Sequence, residues 1–415
     1  MAAVNLLPLA AVAGCVDGGA PGEPAGDDAG AQGRDAEIDA AADAADAPDA
    51  RAEGDAEDVF DVGAIHEIRI DMDAADWEAL RNGREWWAGE LRWDGESAGE
   101  VGLRAFGMGS YNPDKPNIKI AFDHFERGRK WRGLEQLKLD NSTQDPSYLR
   151  ERLGTAIFRR FGVPAARTGW ASLVVNGDRL GLYVVLEAID DRFLDRWFGN
   201  DDGILYDTVQ GAWGHGLMPL DDPLAYYNPQ MGEADGSDLV ELTRLIASGS
   251  DEDLARALDL EGFLKESVAR SVMGSIDSFS SDGNNYYLYD DTGFWRIIPW
   301  DLDFDMTYPV DPWEPWAYSP WAADSLTGEP YQDPVLIRQI ELGADIDGTI
   351  AELVQTAMSC SVVDAELVSS VELIRDEAVG DPLGAGAVFD ENVEALRQFL
   401  RDQIVAFGGS DCAAD

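Results

Sequence analysis

The chain has 415 residues, with 31 basic against 80 acidic side chains and a formal charge of −49. That balance repels phosphate backbones and excludes nucleic-acid recognition through a basic surface. No apolar run reaches the roughly 18–20 residues that span a bilayer. The 13 tryptophans and the aromatic content of 10% supply bulk for a large core.

The chain starts with a short apolar stretch, Leu6-Leu7-Pro8-Leu9-Ala10-Ala11-Val12-Ala13-Gly14-Cys15, ending in small residues like a secretory segment and its cleavage site. Val12-Ala13-Gly14-Cys15 resembles the lipobox of bacterial lipoproteins, although no Lys or Arg precedes it. The resemblance implies export and a lipid anchor at Cys15, with the protein held at the bacterial cell envelope or released outside the cell. Residues 16–60 are dominated by Ala, Asp, Gly, Glu and Pro, too poor in apolar area to offset ordering entropy, and read as a disordered acidic tether. The organisation expected is therefore a signal-like segment over 1–15, a tether over 16–60 and one folded domain over 61–415.

In the folded part, Ile65 to Ile70 alternates as a strand, and Asp73 N-caps a helix through Leu80. Strand patterns follow at Glu90–Trp93, Glu100–Phe106, Asn117–Phe122 and Leu134–Leu139. Asp145-Pro146 is expected to open a helix through Phe161, with Gly162 as its stop. Asn176-Gly177 between two apolar runs predicts a hairpin of Gly169–Val175 with Leu180–Leu186. A Gly/Pro/Asp-rich stretch around Trp213–Ser237 leads to helices near Leu239–Ala247, Asp253–Leu258 and Phe263–Ser275. A second hairpin pairs Tyr286–Tyr289 with Phe294–Pro299, and the last third is mostly helical, including Val363–Glu377 and Phe389–Val405. This order predicts an α+β fold, β-rich first and helical second, in two lobes. Cys360 and Cys412 are the even remainder that an exported protein would bridge, or else two buried thiols. His66, His124 and His215 are too scattered for a zinc site.

Two groups of residues suggest chemistry. Only five lysines occur, and Lys115, Lys119, Lys130 and Lys138 crowd into one stretch. A lysine is a compact charge suited to a phosphate oxygen, although Lys119 on its strand also reads as simply solvated. The richer group is Asp277, Asp282, Asn284 and Asn285, followed by Asp301, Asp303 and Asp305. A hairpin sets its strand ends side by side, which brings Asn285 and Asp301 together. An Asn oxygen and a carboxylate suit Mg²⁺ carrying nucleotide phosphates, and a separate Asp could accept a hydroxyl proton. A structural calcium site or plain loop acids are the alternatives, although the EF-hand glycine and distal Glu are missing.

Several segments, in order, resemble the CotH family of atypical protein kinases related to a spore-coat protein. They are Lys115-Pro116-Asn117-Ile118-Lys119-Ile120-Ala121-Phe122, Leu137-Lys138-Leu139-Asp140-Asn141, Asp145-Pro146-Ser147-Tyr148-Leu149-Arg150-Glu151 and Phe161-Gly162-Val163-Pro164. Gly181-Leu182-Tyr183 with Glu187, Asn284-Asn285-Tyr286-Tyr287-Leu288-Tyr289 and Pro299-Trp300-Asp301-Leu302-Asp303 complete the set. The resemblance implies a divergent two-lobed protein-kinase-like fold that binds ATP with Mg²⁺ or Mn²⁺ and phosphorylates Ser or Thr of exported or cell-surface proteins. It casts Asp277 as the catalytic aspartate, with Asp282 as its rival, Asp301 as a metal ligand and Asn285 as a second. It casts Lys119 as the phosphate lysine paired with Glu151, with Lys115 and Lys138 as rivals. The alternative function is a non-catalytic surface module for adhesion or matrix organisation on the same fold.

Overall fold

A computed structural model describes residues 56–415 apart from 210, 385, 411 and 413–415. The lipobox-like start and the tether as far as residue 55 lie outside the described residues. The structure is α+β, with strands concentrated in its first part and helices in its second.

Seven strands close into a barrel in the order β1-β2-β3-β4-β5-β7-β6. They are β1 (Ile65–Asp71), β2 (Trp87–Trp93), β3 (Glu96–Phe106), β4 (Asn117–Ala121), β5 (Gln136–Asp140), β6 (Thr168–Val175) and β7 (Asp178–Glu187). All neighbours are antiparallel except β1 and β6, whose parallel pairing closes the ring. The alternation read from the sequence sets the two faces. Ile68, Ile70, Leu91, Leu103, Ile118, Ile120, Leu137 and Leu139 fill the interior, so the residues between them point outward. Val59 and Phe60 are buried in this core as well. The folded body therefore begins before residue 61, because these two apolar side chains have a barrel to cover.

Helix α1 (Ala74–Asn82) starts at Asp73, whose carboxylate accepts from the Ala75 and Asp76 N–H groups. The Asn176-Gly177 turn has both residues at positive φ, as a two-residue hairpin turn requires. Helix α2 (Arg150–Phe161) starts later than Asp145-Pro146 suggests. Asp145 builds a turn instead, accepting from Ser147 N, Ser147 Oγ and Arg150 N, while Tyr148 sits at φ 59°. Gly162 ends α2 in the left-handed conformation, as expected.

A second, antiparallel sheet has the order β11-β10-β8-β9. Its strands are β8 (Ile204–Thr208), β9 (Tyr227–Met231), β10 (Tyr286–Asp290) and β11 (Trp295–Pro299). The last two are the expected hairpin. The other two fall where the sequence reads as loop. β8 is only 5 residues long, and β9 carries Pro229, a residue that only an edge strand tolerates well. The helices are α3 (Asp191–Phe198), α4 (Ser237–Ser248), α5 (Asp251–Ala257), α6 (Leu260–Val272), α7 (Phe279–Asp282), α8 (Pro334–Glu341), α9 (Ile346–Gln355), α10 (Cys360–Val379) and α11 (Phe389–Ala406). A large apolar core joins α2, α6, α9, α10 and α11 to Trp170, Leu182, Val184 and Leu186 on the outer face of β6 and β7. No helix among the described residues is long and apolar enough to cross a membrane.

Cys360, at the start of α10, is bonded to Cys412, with Cα atoms 5.1 Å apart. The bridge ties the end of the chain to the N-terminus of α10 across 52 residues of separation. Closing a loop of that size restricts the unfolded chain, so Cys412→Ser should lower unfolding free energy by about 2–4 kcal/mol in urea melts. A loss below a few tenths would show that the bridge contributes nothing to folding.

Candidate functional site

The outward residues of β3, β4 and β5 form a row of cations. Arg104 pairs across the ladder with Lys119, and Lys119 with Lys138. Like charges directly opposite one another repel. In a chain with 80 acidic residues, none of the three makes an ion pair among the described residues. Lys138 Nζ donates to the Tyr287 hydroxyl at 3.2 Å and lies 3.8 Å from the Trp300 ring centre. Burial, with Lys119 alongside, pushes the Lys138 ammonium down to about 8. Burial and Arg104 lower Lys119 as well. Among the acids that act on the lysines through space are Asp207 and Asp190, half-buried carboxyls that desolvation raises to about 6 and about 7. The row of three cations on one sheet face is a candidate site for a polyanion.

Beside the Lys138 end of this row lie the two ends of the β10–β11 hairpin. Asn285 directly precedes β10 and Asp301 follows Pro299 and Trp300 at the end of β11, joined by a Trp300 N–H to Asn285 O bond of 3.0 Å. Both residues are in left-handed backbone conformation, at φ 58° and 54°. For residues other than glycine this conformation is rare and clusters at functional sites.

What holds them there is Arg270, fully buried on α6. Its Nη2 donates to Asn285 O at 3.0 Å and Trp300 O at 2.5 Å, and its Nη1 reaches Asp301 O at 3.4 Å. The Asp305 carboxylate neutralises it at 2.9 and 3.1 Å, and Glu266 lies at 3.4 Å. One planar fork thus fixes three backbone carbonyls and two acids. From the other side, Glu151 Oε2 on α2 accepts the Leu302 N–H at 2.6 Å. Gly154, one turn on, leaves room for Leu302, whose side-chain atoms would come within 3.1 Å of an added Cβ.

Asp277 lies in the turn between α6 and α7. Its Oδ1 accepts from Asn284 Nδ2 at 2.8 Å, and its carbonyl accepts from Asn285 Nδ2 at 3.1 Å. The Asn285 amide is thereby oriented, and its Oδ1 has no hydrogen-bond partner among the described residues. Asp282 sits buried behind Asp277, where its Oδ1 accepts the Ser278 N–H at 3.0 Å. Burial raises both carboxyls, Asp282 much further, with the adjacent Asp277 charge as its next cause. Asp282 therefore supports Asp277 from behind, and Asp277 stands nearer the Asn285–Asp301 opening.

The site carries an excess of carboxyl groups. Burial pushes Asp140 up to about 7 and Asp303 and Glu151 well above their usual range, with Asp301 adding to each. Asp301 is exposed on its open side, yet the protein packed around the rest of it raises it too. Among the described residues no three His, Cys, Asp or Glu side chains would hold a metal unaided. That donor set fits Mg²⁺, which is bound by one or two carboxylates together with substrate phosphates rather than by a full protein cage. Asp301 and the free Asn285 Oδ1 could serve as such ligands, and Glu151 Oε1 is a further buried oxygen without a hydrogen-bond donor.

The structure brings Asp277, Asn285, Asp301 and Glu151 into one region, as expected, but corrects the lysine pairing. No ion pair joins Lys119 to Glu151. Glu151 is engaged by Leu302, and β5 lies between β4 and the rest of the barrel on that side, so Lys138 is the lysine whose field reaches Glu151 and Asp301. Lys115 is unavailable, since it is buried against Asp381 at 2.7 Å and Tyr148 at 3.1 Å. The Gly107-Met108-Gly109-Ser110 turn is tied down through Ser110, by Asn117 and Asn141. Sequence reading passed over Arg104 and Arg270, and it grouped Asn284 with the site without assigning it a role. The signal for Arg270 was a charge set among Val268, Ala269 and Val272 on a helix that otherwise buries its apolar face.

The sequence matches the family described as CotH kinase protein over residues 103–404. The chain belongs to the CotH family. It is 24% identical over 193 residues to inner spore coat protein H of Bacillus subtilis, covering 43% of this chain and 52% of that protein. It is 25% identical over 192 residues to invasin CotH2 of Rhizopus delemar, covering 42% of this chain and 32% of that one. The chain thus spans about half and about a third of these relatives. A crystal structure of the Helicobacter pylori proinflammatory kinase CtkA aligns with 71% of this chain and 95% of that one, at 11% identity and a TM-score of 0.26.

Removing Arg270 would leave the buried Asp305 and Glu266 without their cation. Arg270→Ala should cost about 3–5 kcal/mol in urea unfolding. Arg270→Lys restores charge but not the fork and should recover only part of that loss. Full recovery by Lys would refute the bracing role.

Proposed function

We propose that this protein is an ATP-dependent protein serine/threonine kinase, transferring the γ-phosphate to Ser or Thr of exported or cell-surface proteins. The observation that carries the reading is Lys138, whose charge reaches Asp301 and Glu151 beside the hairpin ends, with Lys119 and Arg104 continuing the cationic row along the barrel. CotH family membership supports the same conclusion. In this reading the barrel and the helical part act as the two lobes of a divergent kinase-like fold. Export and anchoring through Cys15 belong to the same proposal.

The triphosphate oxygens would be held by Lys138 and Lys119, with Arg104 at the outer end of the row. Asp301 and Asn285 Oδ1 would hold Mg²⁺ or Mn²⁺, which neutralises charge on the phosphate oxygens. Asp277 accepts the proton of the Ser or Thr hydroxyl as that oxygen bonds to the γ-phosphorus. The bond from the γ-phosphorus to the β,γ-bridging oxygen breaks, and ADP leaves with that electron pair. Asn284 fixes the Asp277 carboxylate for this task, while Arg270 and Glu151 set the position of Asp301 through the backbone.

Phosphotransfer from labelled ATP should fall at least about a hundredfold in Asp277→Asn and in Asp301→Ala, and Lys138→Met should weaken nucleotide binding more than Lys119→Met. An Asp301→Ala enzyme with wild-type transfer would overturn the assignment. A pH dependence follows from Lys138, whose charge is present below about 8 and lost above it. Calorimetry should find weaker Mg-ATP binding as pH rises from about 7 to 9, a trend that Lys138→Arg removes because its guanidinium stays charged.

A further inference from the structure

A groove of about 790 Å³ lies in the helical half, between the loop 309–318, the start of α9 and the end of α11. Trp313 and Tyr318 line it and are 41% and 48% exposed. Large aromatic side chains left in water on a concave surface mark an interaction site. Gln403 also lines the groove. The residue is 8% exposed, and its amide atoms are open to the groove rather than sealed in the core. The amide offers an acceptor and two donors, the complement of a peptide unit.

The charge of the groove selects its occupant. Asp311 and Asp347 line it, and no Lys or Arg does. Asp311 spends one oxygen on the Trp313 N–H at 2.9 Å, and Asp347 is exposed in the first turn of α9. Aromatic faces beside carboxylates attract Arg and Lys side chains and repel acidic ones. Aromatic-lined grooves of this kind receive extended, proline-compatible segments.

The groove wall is also tied to the catalytic turn. The Met306 N–H bonds to Met273 O at 2.7 Å and the Tyr308 N–H to Gly274 O at 3.4 Å, just ahead of Asp277. At the far end of the loop, Ser319 Oγ donates to Asp282 Oδ2 at 3.5 Å. The segment that presents Trp313 and Tyr318 is therefore anchored on both sides of Asp277.

We propose that this groove docks an extended, positively charged peptide segment of the phosphoacceptor protein, gripped by Trp313, Tyr318 and the Gln403 amide. The peptide binding stands on the groove itself, and its assignment to the phosphoacceptor rests on the kinase reading above.

The test uses a short fluorescent peptide of alternating Arg and Pro, followed by anisotropy on the full chain without nucleotide, with an alternating Glu and Pro peptide as control. The Arg-Pro peptide should bind and the Glu-Pro peptide should not, while Trp313→Ala and Gln403→Ala should each weaken binding about tenfold at unchanged melting temperature. Asp301→Ala should bind the peptide as wild type does. With one Ser added to the Arg-Pro peptide, Trp313→Ala should raise its KM about tenfold and leave kcat and the KM for ATP unchanged. Equal binding of both peptides, undiminished binding by Trp313→Ala and Gln403→Ala, or an unchanged peptide KM would overturn the proposal, even with Asp301 established as catalytic. Trp313-dependent peptide binding in a protein that transfers no phosphate would uphold the groove and refute the kinase reading instead.

Discussion

The candidate site depends on the Arg270 guanidinium. Asn285 and Asp301 sit in a backbone conformation that residues other than glycine seldom adopt, at the open ends of a two-stranded hairpin. Such ends fray unless something holds them. Arg270 binds the carbonyls of Asn285, Trp300 and Asp301 from below, and it stays charged in the core because Asp305 and Glu266 surround it. A buried ion pair is a poor source of net stability but a strong source of specificity in geometry. Here the geometry it specifies is the spacing of two metal-ligand candidates.

The second organising feature is electrostatic. A chain of −49 would be expected to neutralise each cation it places on a surface. Many are paired, as in Arg167 and Arg196 with Glu187, or Arg375 with Asp390, although among the described residues some surface arginines, such as Arg92 and Arg244, are not. On the outer face of β3, β4 and β5 no direct ion pair forms among the described residues. Adjacent strands there hold Arg104, Lys119 and Lys138 side by side with only through-space help from acids such as Asp207. Beside Lys138, burial raises the carboxyls of Asp140, Glu151, Asp301 and Asp303, and the Asp301 charge adds to the shift of the other three. Lys138 and Asp301 favour each other's charged forms across the gap. Under the proposed function, a nucleotide polyphosphate with a divalent cation would add one partner for each side.

Much of this was legible in the sequence, and the part that was not has physical causes. Strand alternation located β1 and β3 to β5, Asn176-Gly177 located the β6–β7 hairpin, and the Asn285/Asp301 juxtaposition followed from the β10–β11 hairpin. Strands β8 and β9 escaped because 5-residue segments, one containing proline, carry little periodicity, and β8 forms against β10 and β9 against β8. The choice between Lys119 and Lys138 could not be read from alternation, since both point outward. It depends on the order of strands in a closed barrel, a long-range property. Arg270 was hidden for the same reason, its backbone partners and Asp305 lying 15 to 35 residues further along the chain. The charged groove beside α11 was equally invisible, because Gln403 and Trp313 meet only through packing.

The central claim is that the hairpin ends and the barrel cations hold one metal–nucleotide complex between them. The direct measurement is a crystal structure of the protein with Mn²⁺ and a non-hydrolysable ATP analogue, with the metal located by anomalous scattering. The account predicts a manganese peak bound by Asp301 and Asn285 Oδ1, with the phosphates contacting Lys138. A metal bound away from Asp301, or a nucleotide that leaves Lys138 untouched, would contradict it.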